Sequence, residues 1–165
     1  MKTETLQDLY IKELHDLYGS EGLLVESLPK FIEGSELPEL RQALTHHLAE
    51  TRGHVTRMEQ VLQMQGEKAA TKKEKALGGI LREAEDDIAD ASSGSVRDAA
   101  IIAAAQQIEH YEIAAYGTVH GYAIHLGYLD AAKLLQTTLD EERGASEKLT
   151  HLALHYTKVE ATHTA

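Results

Sequence analysis

The sequence contains no cysteine and no tryptophan, and only two prolines and one phenylalanine among its 165 residues. Without cysteine the chain has no disulfides, thiol chemistry or thiolate ligands, so any metal ion must be held by His, Asp or Glu. It also lacks a run of about 18 apolar residues, the length that spans a bilayer. The first residues lack the apolar segment of a secretion signal. We therefore expect a cytoplasmic protein that does not associate with membranes.

Positive charge is also scarce. Sixteen Lys and Arg residues stand against 27 Asp and Glu residues, which gives a formal net charge of −11. This balance argues against binding to nucleic acid or to anionic membranes, and it tolerates the binding of cations. At 42% apolar residues the chain can build a core. Its length is typical of one domain, and we expect residues 1–165 to form it, with a tail that frays from residue 158.

Apolar residues recur every three or four positions, which is helical spacing, and no strand-like alternation competes with it. The spacing predicts four long helices and one shorter one. Ser35 is the expected N-cap of the second helix, and Pro29 is expected to kink or end the first unless one more turn follows. The expected ranges are 5–31, 36–65, 74–91, 95–126 and 130–155. The sequence therefore predicts an all-α, antiparallel four-helix bundle, with a long crossover that carries the short helix.

Each long helix carries at least one acid on its inward-facing stripe. Glu109 and Glu112 lie three residues apart in an apolar helix, so both carboxylates point to one side. Buried anions require a cationic partner, and no Lys or Arg occurs between Asp98 and Lys133. A metal ion is therefore the expected partner. The inward acids are Glu21, Glu50, Glu109, Glu112 and Glu142.

A histidine, His54, follows Glu50 by one helical turn and is a further candidate ligand. Four or five carboxylates can neutralise and bridge two divalent cations, so the whole set predicts a dinuclear centre. Each feature taken alone has a simpler explanation. An acidic pair can form an exposed helix face, and the Glu50–His54 pair can lie at the surface. His47 can be a ligand, a hydrogen-bond donor or a plain core residue, and Glu141 falls on a less apolar side.

Five segments together resemble the YciE/YciF-type, stress-induced ferritin-like family over nearly the whole chain. The most specific is the Glu-His-Tyr-Glu-Ile run within residues 108–117. The resemblance implies a ferritin-like bundle, related in layout to the di-iron domain of rubrerythrin. It also implies two divalent metals (Fe or Mn), a homodimer and a role in the stress response. The matching segments are 16–21 (DLYGSE), 47–51 (HLAET), 96–100 (VRDAA), 108–117 (IEHYEIAAYG) and 139–142 (LDEE).

The sequence departs from the usual di-iron bundle, in which two helices carry a Glu-x-x-His pair. Gly53 occupies the position three after Glu50, and Ala145 the position three after Glu142. The expected site is therefore rich in carboxylate and poor in imidazole. Such a site favours Mn(II) or Fe(II), with one of the two metals held less tightly.

Three functions are consistent with the sequence. The first is a di-iron or di-manganese oxidoreductase or peroxidase that acts on O2 or peroxide through the five acids, with His54 completing the ligand set. The second is a non-catalytic, dimeric binding or structural module of the stress response. The third, an iron-storage cage, has the least support, because no feature points to cage contacts or a mineral core.

Overall fold

The computed structural model describes residues 3–70, 75–92 and 94–160, with side chains as far as residue 155. Within these ranges every regular element is a helix, and no strand occurs. The helices are α1 (Leu6–Gly34), α2 (Pro38–Met64), α3 (Ala76–Asp90), α4 (Ser95–Leu126) and α5 (Leu129–Glu160). The predicted all-α class is therefore confirmed.

The four long helices form a ring of neighbours. Short loops join α1 to α2 and α4 to α5, so each pair is an antiparallel hairpin, and the two hairpins meet through α2 against α5 and α1 against α4. Gly127, at φ 80° in the left-handed region, ends α4 and permits the tight connection to α5. The segment between α2 and α4 carries α3, which packs on α4 and α1. This is the predicted ferritin-like bundle with a crossover helix.

Two details of the helix ends differ from expectation. The prediction that Ser35 caps α2 is wrong, because its hydroxyl donates to the Phe31 carbonyl (2.7 Å) at the end of α1. The backbone N–H groups of Glu36 and Leu37, just before α2, instead donate to the carboxylate of Asp98, at 2.8 Å each. A residue at the start of α4 therefore caps α2, which the local sequence could not indicate.

The other boundaries agree with the periodicity to within a few residues. Helix α1 does not end at Pro29 but continues to Gly34, which matches the expected alternative of one more turn after the proline. Helix α5 extends to Glu160, two residues past the expected start of the frayed tail, and residues 161–165 lie outside the described ranges. None of the described helices has an apolar stretch long enough to cross a bilayer.

The apolar core is divided into two clusters along the bundle. On α1, Leu17 belongs to one cluster and Leu24 to the other. On α4 the same division falls between Ile108 and Tyr116. The side chains between these positions form a layer in the middle of the bundle, where a polar group lies far from solvent.

Candidate metal centre

The middle layer of the bundle holds most of the acids that the sequence singled out. The segments that contribute them are long helices with apolar residues on both sides, so the helical period directs the acids inward. Glu21, Glu112 and Glu142 are fully buried, and Glu109 is 2% exposed. Helix α2 contributes two buried histidines, His54 and His47.

Three of these side chains form a first triad, which consists of Glu21, His54 and Glu142. The Nδ1 atom of His54 lies 3.0 Å from Oε1 of Glu142 and 3.5 Å from Oε2 of Glu21. One ligand atom from each residue lies within 4.8 Å of the others, which is close enough for all three to contact a single cation.

A second triad consists of His47, Glu109 and Glu142. The Nε2 atom of His47 lies 3.1 Å from Oε1 of Glu109 and 4.0 Å from Oε2 of Glu142. Glu142 belongs to both triads and directs a different carboxylate oxygen toward each histidine. Glu142 would therefore supply a ligand atom to a cation held by either triad.

Several atoms in this layer are close together without being hydrogen-bonded. The 3.0 Å contact between His54 and Glu142 has a suitable length, yet neither His54 Nδ1 nor Glu142 Oε1 has a hydrogen-bond partner among the described residues. The same holds for His47 Nε2 and for the second oxygen of Glu142. Buried polar atoms that converge without a hydrogen-bond partner are the arrangement expected around a cation.

Glu112 gives the clearest indication that a cation belongs here. Its side chain is fully buried, and neither carboxylate oxygen has a hydrogen-bond partner within the described part of the chain. No described Lys or Arg forms an ion pair with Glu112, Glu109 or Glu21. Leaving a buried carboxylate without partners is costly, so the residues fit a bound divalent metal better than they fit a metal-free core.

Glu50, the remaining acid of the predicted set, lies at the edge of the centre. Its side chain is 20% exposed and belongs to neither triad. Its Oε1 atom lies 3.0 Å from Nε2 of the exposed His46, and its buried Oε2 atom is 3.9 Å from Nδ1 of His47. The structure therefore brings Glu21, His54, Glu109, Glu112 and Glu142 together but leaves Glu50 between the centre and the surface.

Hydrogen bonds from outside the triads orient two of the candidate ligands. The Nε2 atom of His54 lies 2.9 Å from the carboxylate of Glu141, which leaves Nδ1 to face the centre. Glu141 is itself held by Arg57, which contacts both of its oxygens at 2.9 and 3.3 Å. On the opposite side, the hydroxyl of Tyr116 donates to Oε1 of Glu21. Such partners fix the orientation of ligands and strengthen metal binding.

Burial changes the protonation of the centre. It raises the pKa of Glu112 and Glu109 well above the ordinary value, and the neighbouring carboxylates add to the effect. Burial alone would lower the pKa of His54, but the carboxylates of Glu142 and Glu21 raise it to about 11. Burial would raise the pKa of Glu142, but His54 and His47 lower it, so without a metal His54 carries the proton of the His54–Glu142 pair at neutral pH.

The sequence reasoning left the role of His47 open, and the structure places this residue in the second triad. The two α2 histidines are seven residues apart, which is two helical turns, so both face the centre. This seven-residue spacing is the sequence feature that could have placed His47 beside His54 in the centre. With His47 included, each triad contains one imidazole, and both imidazoles come from α2.

Comparison with known proteins places the chain in a family. Residues 5–162 match a family described as a domain of unknown function, DUF892. The curated Escherichia coli K12 protein YciF is 42% identical over 156 residues, which is 94% of each chain. This chain belongs to the DUF892 family. The resemblance to YciF-type proteins inferred from the sequence is thereby confirmed.

Solved structures of similar proteins share the fold. That of the E. coli stress protein YciF superposes with a TM-score of 0.89 at 41% identity, covering 94% of this chain and 98% of the other. YcfI of Rhodopseudomonas palustris, described as a candidate structural protein, gives a TM-score of 0.88 at 39% identity and covers 90% and 95% of the two chains. A Xanthomonas campestris protein with 17% identity shares the fold alone, with a TM-score of 0.73.

Proposed function

We propose that this DUF892 chain is a stress-response protein with a carboxylate-rich dinuclear centre that binds two divalent Fe or Mn ions. The observation that carries the proposal is Glu112, a fully buried carboxylate whose two oxygens lack partners among the described residues. It lies beside two triads that share one glutamate. The similarity to a stress protein, YciF, supports the cellular role.

Charge balance supports two ions rather than one. Four buried glutamates carry about −4 when ionised, and two divalent ions carry about +4, so the filled centre is close to neutral. In this assignment Glu21, His54 and Glu142 would hold one ion, and His47, Glu109 and Glu142 would hold the other. Glu112 supplies the fourth carboxylate. Hard carboxylate ligands with one imidazole each suit Fe(II) or Mn(II).

The protein groups around the centre have distinct roles. Tyr116 holds the carboxylate of Glu21, and Glu141 fixes the His54 ring so that Nδ1 faces inward. The apolar clusters above and below separate the acids from water. Bound Fe or Mn would supply redox chemistry toward O2 or peroxide. On this proposal the chain is an oxidoreductase or peroxidase that acts in the cytoplasm as a homodimer.

Metal stoichiometry tests the centre. The purified chain is stripped with a chelator, loaded anaerobically with Fe(II) or Mn(II), and analysed by elemental analysis and anomalous scattering. We expect two ions per chain in the wild type and fewer in Glu112→Gln. Glu83→Gln, an exposed change of equal charge on α3, should keep both ions. A wild-type chain that binds one ion or none would refute the dinuclear assignment.

Peroxide consumption tests the enzymatic part of the proposal. Metal-loaded wild type should consume H2O2 in the presence of a reductant, and Glu109→Ala should abolish this turnover because the second triad then loses one of its two carboxylates. The Glu83→Gln control should remain active. If the wild type binds two metals but consumes neither peroxide nor O2, the centre is present without this activity.

A non-catalytic role is the second candidate, and the description of YcfI as a candidate structural protein favours it. In that case the bundle acts as a dimeric binding module, and metal only stabilises the fold. A Glu109→Gln/Glu112→Gln variant that loses metal but still restores stress resistance to a deletion strain would favour this role. Loss of rescue with the fold and dimer intact would favour the redox role.

A further inference from the structure

A surface groove lies between the first turns of α2 and the second half of α5. Its volume is about 600 Å3, and its walls include His46, Glu147, His151 and Lys148. A much smaller chamber of about 10 Å3 lies further inside, with walls that include His47, Glu50 and Glu109. Ala43 and Lys148 line both spaces, so the groove and the chamber adjoin one another.

The size of the chamber restricts what can pass. About 10–15 Å3 is the room that a single water molecule needs, so the chamber accepts an ion or a water but not an organic molecule. Its wall contains polar atoms that lack partners. His47 is 4% exposed and Glu109 is 2% exposed, and His47 Nδ1 and Glu109 Oε2 have no hydrogen-bond partner among the described residues. The chamber therefore leads from the groove to two side chains of the second triad.

Glu50 connects the two spaces. One of its oxygens lies 3.0 Å from His46 in the groove, and the other is buried, unpartnered and 3.9 Å from His47 in the chamber wall. A carboxylate in this position can contact a cation on either side with a change of rotamer. This explains why an acid on the inward row of α2 belongs to neither triad.

We propose that the groove between α2 and α5 is the route by which divalent cations reach the centre, with Glu50 as the carboxylate that transfers them inward. The inference rests on the proposed dinuclear centre and adds the path to it. His46 and Glu147 attract the cation to the groove, and Lys148 opposes its passage through charge repulsion. The route determines the rates of binding and release and leaves the equilibrium affinity of the centre unchanged.

Stopped-flow absorbance with Co(II), a spectroscopic substitute for Fe(II), measures uptake by the metal-free chain. A chelator chase measures release, and titration gives the equilibrium affinity. The main variant is Ala43→Leu, which places a larger side chain in the wall that the two spaces share. We expect uptake and release to slow together by at least about tenfold, because the inner chamber has room for about one water molecule. Ala49→Leu, an exposed position on the same helix, is the matched control.

Charge variants provide a second measurement that does not depend on packing. Lys148→Gln should speed uptake and Glu147→Gln should slow it, each by about fourfold at low ionic strength, for a divalent cation roughly 10 Å from the changed charge in water. The matched controls are Lys133→Gln and Glu83→Gln, which change exposed charges elsewhere. If only net charge mattered, each control would change the rate as much as its partner, and that result would overturn the route.

Glu50→Gln tests the transfer step. We expect slower uptake with an unchanged equilibrium affinity, whereas a loss of affinity would make Glu50 a permanent ligand and overturn its transfer role. Wild-type uptake rates in Ala43→Leu would overturn the route while leaving the centre intact. If the wild type binds no Co(II) at equilibrium, the dinuclear centre itself fails, and the route fails with it.

Discussion

The imidazole of His54 joins the buried centre to the protein surface through Glu141. Its Nε2 atom lies 2.9 Å from Glu141, whose side chain is 31% exposed, while its Nδ1 atom faces the fully buried Glu142 at 3.0 Å. Because Arg57 keeps Glu141 in place, the ring has little freedom to turn. The inner nitrogen is thus oriented toward the centre before any metal arrives, as a carboxylate partner orients the histidine in carboxylate–histidine–metal arrangements.

Removing this orienting carboxylate should weaken metal binding. We expect Glu141→Ala to lower the affinity for one metal by about tenfold to a hundredfold, the range found for such outer partners. Glu141→Gln retains one acceptor and should lose less. Asp140→Asn, an exposed change beside it, should bind like the wild type. Calorimetric titration with Mn(II) measures all four proteins, and equal affinities would show that Glu141 does not orient the ring.

Replacing Glu112 should change stability and metal binding in opposite directions. In the metal-free chain its carboxylate is buried without partners, so Glu112→Leu should raise the free energy of unfolding by about 1–3 kcal/mol. The same change should weaken metal binding. Urea denaturation in the presence of a chelator measures the stability, with the exposed Glu83→Leu as the control. A loss of stability without metal would mean that protein groups satisfy the carboxylate.

Metal binding should release protons, so the apparent affinity should rise with pH. The pKa of His54 is raised to about 11, so this ring holds a proton at neutral pH that a metal must displace, and burial shifts the pKa of Glu112 and Glu109 in the same direction. Each displaced proton makes the affinity rise about tenfold per pH unit below the pKa of that group.

Calorimetry in two buffers of different ionisation enthalpy gives the number of protons released. The wild type should release at least about one proton per chain on loading, since His54 is charged beforehand. His54→Gln should release one fewer. An observed enthalpy that is the same in both buffers would show that the ligands are already deprotonated in the metal-free chain.

The start of α2 should depend on a residue that is distant in sequence. Asp98 accepts the backbone N–H groups of Glu36 and Leu37, and it is 2% exposed. Asp98→Ala should lower the free energy of unfolding by about 2–3 kcal/mol, because two donors lose a charged acceptor. Asp98→Asn should cost less, and the exposed Asp86→Ala very little. An unchanged unfolding midpoint for Asp98→Ala would mean that water replaces the cap.

Much of this structure follows from the helical spacing of apolar residues in the sequence. Helix α4 illustrates the point, because Glu109 and Glu112 follow the same three-and-four spacing as Ile108 and Tyr116 around them. Once the apolar stripe must face the core, the two acids must face it as well. The same reasoning placed Glu21 and Glu142 inside. Their role as metal ligands stays a prediction, although the structure brings them together.

Other features depend on how the helices meet. His47, Glu50 and His54 lie on neighbouring positions of one α2 face, and their sequence spacing alone does not rank them. The contact with α5 and α4 places His47 beside Glu109 and leaves Glu50 beside the groove. In the same way, the Asp98 cap joins residues 61 and 62 positions apart, and Glu141 reaches His54 across 87 positions.

The sequence by itself determined the helices, their inward faces and the burial of four glutamates, because these follow from a local period and the need to remove apolar surface from water. The tertiary structure alone decided that His47 joins His54 beside them, which acid remains at the rim and which distant groups hold the candidate ligands. A shift of a fraction of a turn between packed helices exchanges one neighbour for another. That shift depends on side chains of both helices, so the apolar periodicity of one helix does not reveal it.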